Sequence, residues 1–361
     1  MREIDLYKVP HFFSIREAIR QMDKGGIGFV ACIDENDNVI GVVSDGDFRR
    51  AVLSGVCLEN SVQEIINRNF ASVPINFAEK DIENIFQNDV VQQIPVIDDG
   101  KLVDIITEES FYCKKGKVEN KRNKIDLPVV IMAGGKGSRL DPFTRILPKP
   151  LIPIGEKPII EVIMDEYAIY GMRKFYISIN HRGRMIKAFF ADYDIDYEIK
   201  YIYENKPLGT AGALKYLENK VYSPFFVSNC DVIIKADYSA IYKYHVKKEY
   251  SMTLIGSMQH HTIPYGVCEI ENGGLLKKIV ERPNNNFLIN TGMYLLNPEV
   301  ITLIPENESY DMIDLINKLQ RINMPVGLFP ISADSWLDIG QWEEYKKSVK
   351  KIGGEGDNEI L

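Results

Sequence analysis

Three glycines, Gly134, Gly135 and Gly137, follow an apolar run in "VVIMAGGKGSRLDPFTRILPKPLIPIG", Val129 to Gly155. Without Cβ atoms the backbone there can come close to a ligand and turn its N–H groups toward phosphate oxygens. Arg139 and Lys149 come next, two cations able to hold a polyphosphate from different sides. The stretch fails two other phosphate-loop patterns: it contains no G-x-x-x-x-G-K-[ST], and Leu140 stands where the dinucleotide fingerprint requires a third glycine. Further along, Asp231 ends the apolar run of "FFVSNCDVI", where a carboxylate can hold a divalent cation or simply cap a turn. These residue types suit chemistry at a phosphate group, with its charge neutralised by cations.

Such a loop has to be delivered by a strand. From Leu127 onward short apolar runs alternate with helical patterns: "PVVIMA", "KFYISI", "YEIKYIY" and "PFFVSNCD" read as strands, and "IIEVIMDEYAIYG", "RMIKAFFADY" and "TAGALKYLE" as helices. That succession predicts an α/β fold with a Rossmann-like, mixed but mostly parallel sheet, and ligands outside the carboxyl ends of the strands. The glycine loop falls at such an end. "ENGG", Glu271 to Gly274, with apolar residues on either side reads as a hairpin turn.

The 361 residues, 45% of them hydrophobic, suffice for two or three domains. With 43 basic against 51 acidic residues, the net charge of -8 disfavours a nucleic acid as main partner. No apolar run approaches the roughly 20 residues needed to span a bilayer. "MREIDLYKVPHFFS" lacks the apolar core of a signal peptide, so no membrane partner and a cytoplasmic location are expected. Cys32, Cys57, Cys113, Cys230 and Cys268 are scattered and form no C-x-x-C pair, which fits reduced structural thiols better than a zinc site or a disulfide framework.

The first third repeats itself. "ACIDENDNVIGVVSDGDF" (Ala31 to Phe48) aligns with "PVIDDGKLVDIITEESF" (Pro95 to Phe111), pairing Ile33 with Ile97, Asp34 with Asp98, and Ser44 with Thr107. Each copy follows a helix-like stretch, "SIREAIRQMDKG" or "AEKDIENIFQND", so two half-domains are expected to bury one shared core. The repeat resembles a tandem pair of cystathionine-beta-synthase (CBS) domains, an α+β module, over about 1–58 and 59–116. That resemblance implies an adenine-nucleotide site at Ser44 and Asp47, the hydroxyl facing phosphate and the carboxylate facing ribose. A pair serving only in dimerisation, with Ser44 as an N-cap, remains open beside it. The second copy has Ser110 where the Asp should stand, so one such site at most is expected. Residues 117–126 read as a basic linker, 127–352 as the second domain and 353–361 as a frayed tail.

The glycine-loop segment resembles the signature of sugar-phosphate nucleotidylyltransferases, A-G-G-x-G-[ST]-R-L-x-P-x-T followed by P-K-P-L, a family with a GT-A-like fold. The resemblance places Ala133, Gly134, Gly135, Gly137 and Ser138 at the nucleotide, Arg139 at the leaving pyrophosphate and Lys149 at the reacting phosphates. "ENKPLGTAGAL" matches the family's segment near the base, adding Glu204, Pro207, Gly209 and Thr210. Asp338 in "SWLDIGQW" matches the second metal carboxylate in W-x-D-x-G, which with Asp231 implies Mg²⁺. On the acceptor side, Tyr265 and Gly266 would line the sugar, Glu281 would accept its hydrogens, and Arg282, where Lys is usual, would bind its phosphate. Asn290 and Gly292 match N-[AST]-G.

The implied reaction joins a nucleoside monophosphate to a sugar 1-phosphate. Glu204 suits the donor edge of guanine, and a CBS pair fused to a short transferase domain resembles guanylyltransferases of bacterial legionaminic acid synthesis. GTP and glucosamine 1-phosphate are therefore the expected substrates. Mannose or heptose 1-phosphate with GTP, and glucose 1-phosphate with UTP or dTTP, stay open, as does a non-catalytic nucleotide sensor. A homodimer or higher homo-oligomer is expected from the CBS pair.

Overall fold

The computed structural model describes residues 4–88, 91–114, 124–135, 137–180, 182–191 and 196–340. Most of the expected linker and all of the expected tail lie outside them, as does the side chain of Ser138. The chain divides into two compact units, Met1–Asn120 and Lys121–Leu361.

In the first unit one arrangement occurs twice. The first copy contains β1 (Lys8–Pro10), α1 (Ile15–Gly25), β2 (Phe29–Ile33), β3 (Val39–Ser44) and α2 (Asp45–Leu53). The second contains β4 (Val73–Pro74), α3 (Glu79–Asn88), β5 (Gln93–Asp98), β6 (Lys101–Thr107) and α4 (Glu108–Lys114). In both sheets the middle strand pairs parallel with the first strand and antiparallel with the third. Even the irregularity recurs, with register shifts at Cys32/Ile33 and at Val96/Ile97, the positions that the sequence repeat aligns. Leu102 and Ile105 of the second copy pack in one cluster with Tyr7, Phe29, Ala31 and Val42 of the first, so the copies share a core.

The second unit begins with β7 (Val129–Met132), the short pair β8 (Pro153–Ile154) and β9 (Lys157–Pro158), α5 (Ile159–Ala168), β10 (Lys174–Ile179), α6 (Gly183–Ala191) and β11 (Glu198–Tyr203). It continues through β12 (Phe225–Asn229), β13 (Val232–Ile234), α7 (Tyr238–Lys247), β14 (Met252–Thr262), β15 (Val267–Ile270) and β16 (Leu276–Val280). The last described elements are β17 (Asn284–Leu296), α8 (Met312–Arg321), β18 (Val326–Ile331) and β19 (Trp336–Asp338). The central sheet has the order β11-β10-β7-β12-β17-β14-β18, in which β17 alone runs against the rest.

Side chains alternate between its two faces as strand geometry requires. Val129, Ile131, Phe175, Ile177 and Phe226 face a core that includes Ile163, Tyr167, Ile186 and Tyr238 of the helices. Val130, Tyr176, Phe225 and Val227 face a second core with Leu214, Leu217, Leu315 and Leu319. Covered on both faces, these strands read as continuous apolar runs. "TAGALKYLE" departs from expectation: it forms only a 3₁₀ segment, Gly212–Leu217, with the Ala211 and Gly212 amides bonded to Tyr310 O.

His245 of α7 is 1% exposed, its ring nitrogens 2.8 Å from Thr253 Oγ1 and 3.0 Å from Asn297 Oδ1. Burial holds its pKa below the usual value, opposed in part by the Asn297 hydrogen bond. The unfolded chain therefore binds more protons than the folded one between that lowered value and the ordinary value of about 6.5. This contribution to stability is complete above about pH 6.5 and is lost as pH falls toward the folded-state pKa. Melting curves between about pH 7.5 and 5 are expected to show Tm falling on acidification, with a shallower fall in His245→Gln.

Candidate active site

The glycine loop leaves the carboxyl end of β7, and Ala133 N–H donates to Ser178 O of β10 at 3.1 Å. At φ 69°, Gly137 takes a backbone conformation that favours glycine, and a Cβ there would lie 2.9 Å from Lys149 Cβ and 3.0 Å from Thr144 Cγ2. The loop therefore rests directly on the stem of Lys149. Arg182 supports the next turn, donating to Thr144 O at 2.7 Å and to Arg145 O at 2.5 Å.

Lys149 pairs its ammonium with the carboxylate of Asp231, the two side chains 13% and 18% exposed. Asp231 follows β12. Asp338 ends β19, which pairs antiparallel with β13 so that Val232 lies opposite Asp338, and Ile339 N–H donates to Asp231 O at 2.8 Å. A Cβ added to Gly340 would lie 2.6 Å from Asp231 Oδ2, 2.8 Å from Asp338 Oδ1 and 3.4 Å from Lys149 Nζ. Three charged groups from distant parts of the chain thus surround one backbone position.

Two converging carboxylates fit Mg²⁺, which ordinarily takes one or two protein carboxylates and completes its shell with water and substrate phosphates. No cluster of three or more His, Cys, Asp or Glu side chains suited to a metal occurs among the described residues, so an all-protein cage is not offered there. Beside Asp231, burial pushes the Cys230 thiol up to about 12, which keeps it protonated and a poor metal ligand near neutrality.

On the expected nucleotide side, Glu204 is 8% exposed, and its carboxylate accepts from Ser178 Oγ and, at 3.1 Å, from Leu208 N–H. A Cβ on Gly134 would meet Glu204 Oε1 at 2.5 Å, so this carboxylate lies against the glycine loop. Pro207 and Thr210 are exposed and Gly209 is half-buried. Arg139 is exposed and makes no ion pair among the described residues, leaving its fork open to an anion.

Tyr265, Gly266, Glu281 and Arg282 meet at the base of the β15–β16 hairpin, whose turn contains the glycines of "ENGG". Arg282 N–H donates to Tyr265 O at 3.3 Å, and a Cβ on Gly266 would lie 2.8 Å from Glu281 Oε1. Among the described residues no hydrogen bond or ion pair joins this group to Lys149 or Asp231. Asn290 and Gly292 lie on β17, where the register with β14 shifts. Gly292 approaches Asn229 at the end of β12, since its Cβ would fall 2.5 Å from Asn229 Nδ2. Sequence reading did not single out Ser178, Asn229, Asp311 or Gly340. Gly340 alone had a signal, as the last position of the W-x-D-x-G match.

In the first unit Ser44 and Asp47 form a capping box at the start of α2: Ser44 N–H and Oγ donate to Asp47 Oδ2 at 2.9 and 2.6 Å, and Arg50 pairs with the same carboxylate. Asp47 and Arg50 also line a cavity of about 420 Å³, together with Ser54, Glu64 and Asn67. In the second copy Ser110 N–H donates to Thr107 Oγ1 at 3.2 Å, with no carboxylate at that position.

A mixed, mostly parallel sheet with a glycine loop and a carboxylate pair at its carboxyl end defines a nucleotidyltransferase-type α/β domain. The chain belongs to the nucleotidyl transferase family, whose model matches residues 128–354, and the CBS domain model matches residues 1–54 and 62–112. It is similar to the UTP–glucose-1-phosphate uridylyltransferase of Synechocystis sp., 30% identical over 247 residues that cover 63% of each chain. The mannose-1-phosphate guanyltransferase of Saccharomyces cerevisiae is 32% identical over 231 residues, which cover 60% of this chain and 62% of that protein. This chain therefore spans less than two thirds of the length of these relatives. Among solved structures, HddC from Yersinia pseudotuberculosis is 26% identical with a TM-score of 0.50, covering 62% of this chain and 99% of that one. Among the described residues no helix is long and apolar enough to cross a membrane.

Proposed function

We propose that the protein is a sugar-1-phosphate nucleotidyltransferase that joins a nucleoside monophosphate to a hexose 1-phosphate and releases pyrophosphate. The observation that carries this reading is the convergence of Asp231, Asp338 and Lys149 around Gly340, with Lys149 lying beneath the glycine loop. A sugar 1-phosphate is already an oxyanion near neutral pH, so its oxygen attacks the α-phosphorus without a general base. The new P–O bond forms as the α–β bridge bond breaks, and the electron pair leaves with pyrophosphate. The protein's task is alignment and charge neutralisation. Glycine-loop N–H groups hold phosphate oxygens, Lys149 offsets charge at the reacting phosphates, and Arg139 takes the leaving group. Mg²⁺, held by Asp231 and Asp338, would supply further neutralisation when bound. Tyr265, Gly266, Glu281, Arg282, Asn290 and Gly292 hold the sugar phosphate.

GTP is the proposed donor and glucosamine 1-phosphate the proposed acceptor. This choice rests on the resemblance of the whole chain to the glucosamine-1-phosphate guanylyltransferase of bacterial legionaminic acid synthesis. The donor half of the choice is supported by the mannose-1-phosphate guanyltransferase among the relatives. Pyrophosphate release with Mg²⁺ should be measured for GTP, ATP, UTP, CTP and dTTP against glucosamine, N-acetylglucosamine, mannose and glucose 1-phosphates. Preference for GTP with glucosamine 1-phosphate is the expected result. Another preferred pair removes the substrate assignment and keeps the reaction class, whereas no turnover with any pair supports a sugar outside the panel, such as a heptose 1-phosphate, or the sensor reading.

The cavity beside Asp47 supports a second proposal, an adenine nucleotide bound by the CBS pair; a cytoplasmic homodimer or higher homo-oligomer is proposed beside it from the sequence alone. Millimolar AMP or ATP is expected to raise the melting temperature. An unchanged melting temperature and rate would leave Ser44 and Asp47 as a helix cap.

A further inference from the structure

Leu208 to Gly212 is tied to a distant segment with unusual density. Tyr310 N–H donates to Leu208 O at 2.9 Å, and Ala211 N–H and Gly212 N–H both donate to Tyr310 O at 2.9 Å. Asp311 Oδ1 accepts from Thr210 N–H at 2.9 Å and from Thr210 Oγ1 at 3.2 Å, across 101 residues of sequence. Met312 N–H in turn donates to Thr210 Oγ1 at 2.8 Å. The seam is too close for a side chain at Gly209, whose Cβ would lie 2.7 Å from both Asp311 Oδ1 and Tyr310 O.

We infer that Asp311 is a positioning residue for the donor nucleotide, acting through Thr210 and Gly209. This rests on the proposed function, in which the 204–210 segment lies at the nucleotide. The amide and hydroxyl protons of Thr210 are both directed at Asp311, so what the loop offers a ligand is its shape. Glu204 fixes the near end through Leu208 N–H, and Asp311 fixes the far end. Removing Asp311 takes both acceptors from Thr210 while the main-chain bonds to Tyr310 remain, and a residue that must then be ordered on binding weakens the donor complex without touching the acceptor side.

The test uses the full chain and its Asp311→Ala, Asp311→Asn and Thr210→Val variants, with steady-state kinetics, melting temperature, and calorimetric titration of GTP and UTP. Asp311→Ala is expected to raise the donor KM and Kd about tenfold, with acceptor KM and kcat within about twofold, as fits the loss of two hydrogen bonds. Asp311→Asn, whose Oδ1 still accepts both bonds, should recover most of that loss, and Thr210→Val, which keeps the amide bond to Asp311 and loses the hydroxyl one, should fall between the two. Should Asp311→Ala fail to fold, Thr210→Val against Asp311→Asn carries the comparison. Unchanged donor KM and Kd with only a lower melting temperature would reduce Asp311 to a helix cap and overturn the inference, as would equal effects on donor and acceptor. If the wild type binds GTP or UTP yet turns over no pair, the proposed function fails while the Kd ratio still decides the role of Asp311. If neither binds, the titration is repeated with ATP, CTP and dTTP, and binding of none of the five overturns both.

Discussion

Asp231→Asn is expected to lower kcat about a thousandfold while the protein stays folded, because it removes charge where phosphate charge must be neutralised. The substitution keeps the shape of the side chain and an oxygen that can accept from Lys149. The ladder between β13 and β19, including the bond from Ile339 N–H to Asp231 O, uses main-chain groups and is unaffected. What disappears is one of the two anionic ligands proposed for Mg²⁺. The rate of pyrophosphate release should therefore fall much further than the melting temperature, and the Mg²⁺ concentration for half-maximal rate should rise. A loss smaller than about tenfold would remove Asp231 from the catalytic centre.

Gly340→Ala carries the second largest expectation, a fall of about a hundredfold in kcat, from a residue with no side-chain chemistry at all. The added methyl would lie 2.6 Å from one carboxylate oxygen and 2.8 Å from the other, inside the distance that real Cβ atoms keep. Either the carboxylates move apart or the main chain shifts, and misplacement of about 1 Å at such a centre costs about that factor. The same clash reaches toward Lys149 Nζ at 3.4 Å. A variant that melts near the wild type, needs more Mg²⁺ and turns over slowly meets the expectation. Activity within about threefold of wild type would show that the carboxylates tolerate separation and are not held to a common ion.

The strands of the second unit were legible because most are covered on both faces and read as short apolar runs. The repeat in the first unit was legible as aligned pairs such as Ile33 with Ile97, and the structure adds register shifts at those same positions. The glycine loop and its two cations stand close together in sequence, so their pattern could be read directly. What escaped notice depends on approach between distant segments. "TAGALKYLE" has a helical pattern, yet its amides at Ala211 and Gly212 are taken by Tyr310 O. Asp311 looks like an ordinary N-cap until Thr210 is placed beside it. The pairing of Lys149 with Asp231 had no local signal, since one residue follows the glycine loop and the other follows β12, 82 residues further on.

The ladder of β13 with β19 also sets when the centre can exist during synthesis. Asp231 and Lys149 are translated well before Asp338, and the repeats of the first unit emerge earlier still. A nascent chain can therefore complete its N-terminal repeats, and much of the central sheet, while the second carboxylate is still unmade. Catalytic competence would come late and at once, when the strand from Trp336 to Asp338 docks on Val232 to Ile234. On the proposed function, partly made chains would be inert, however well their first unit had folded.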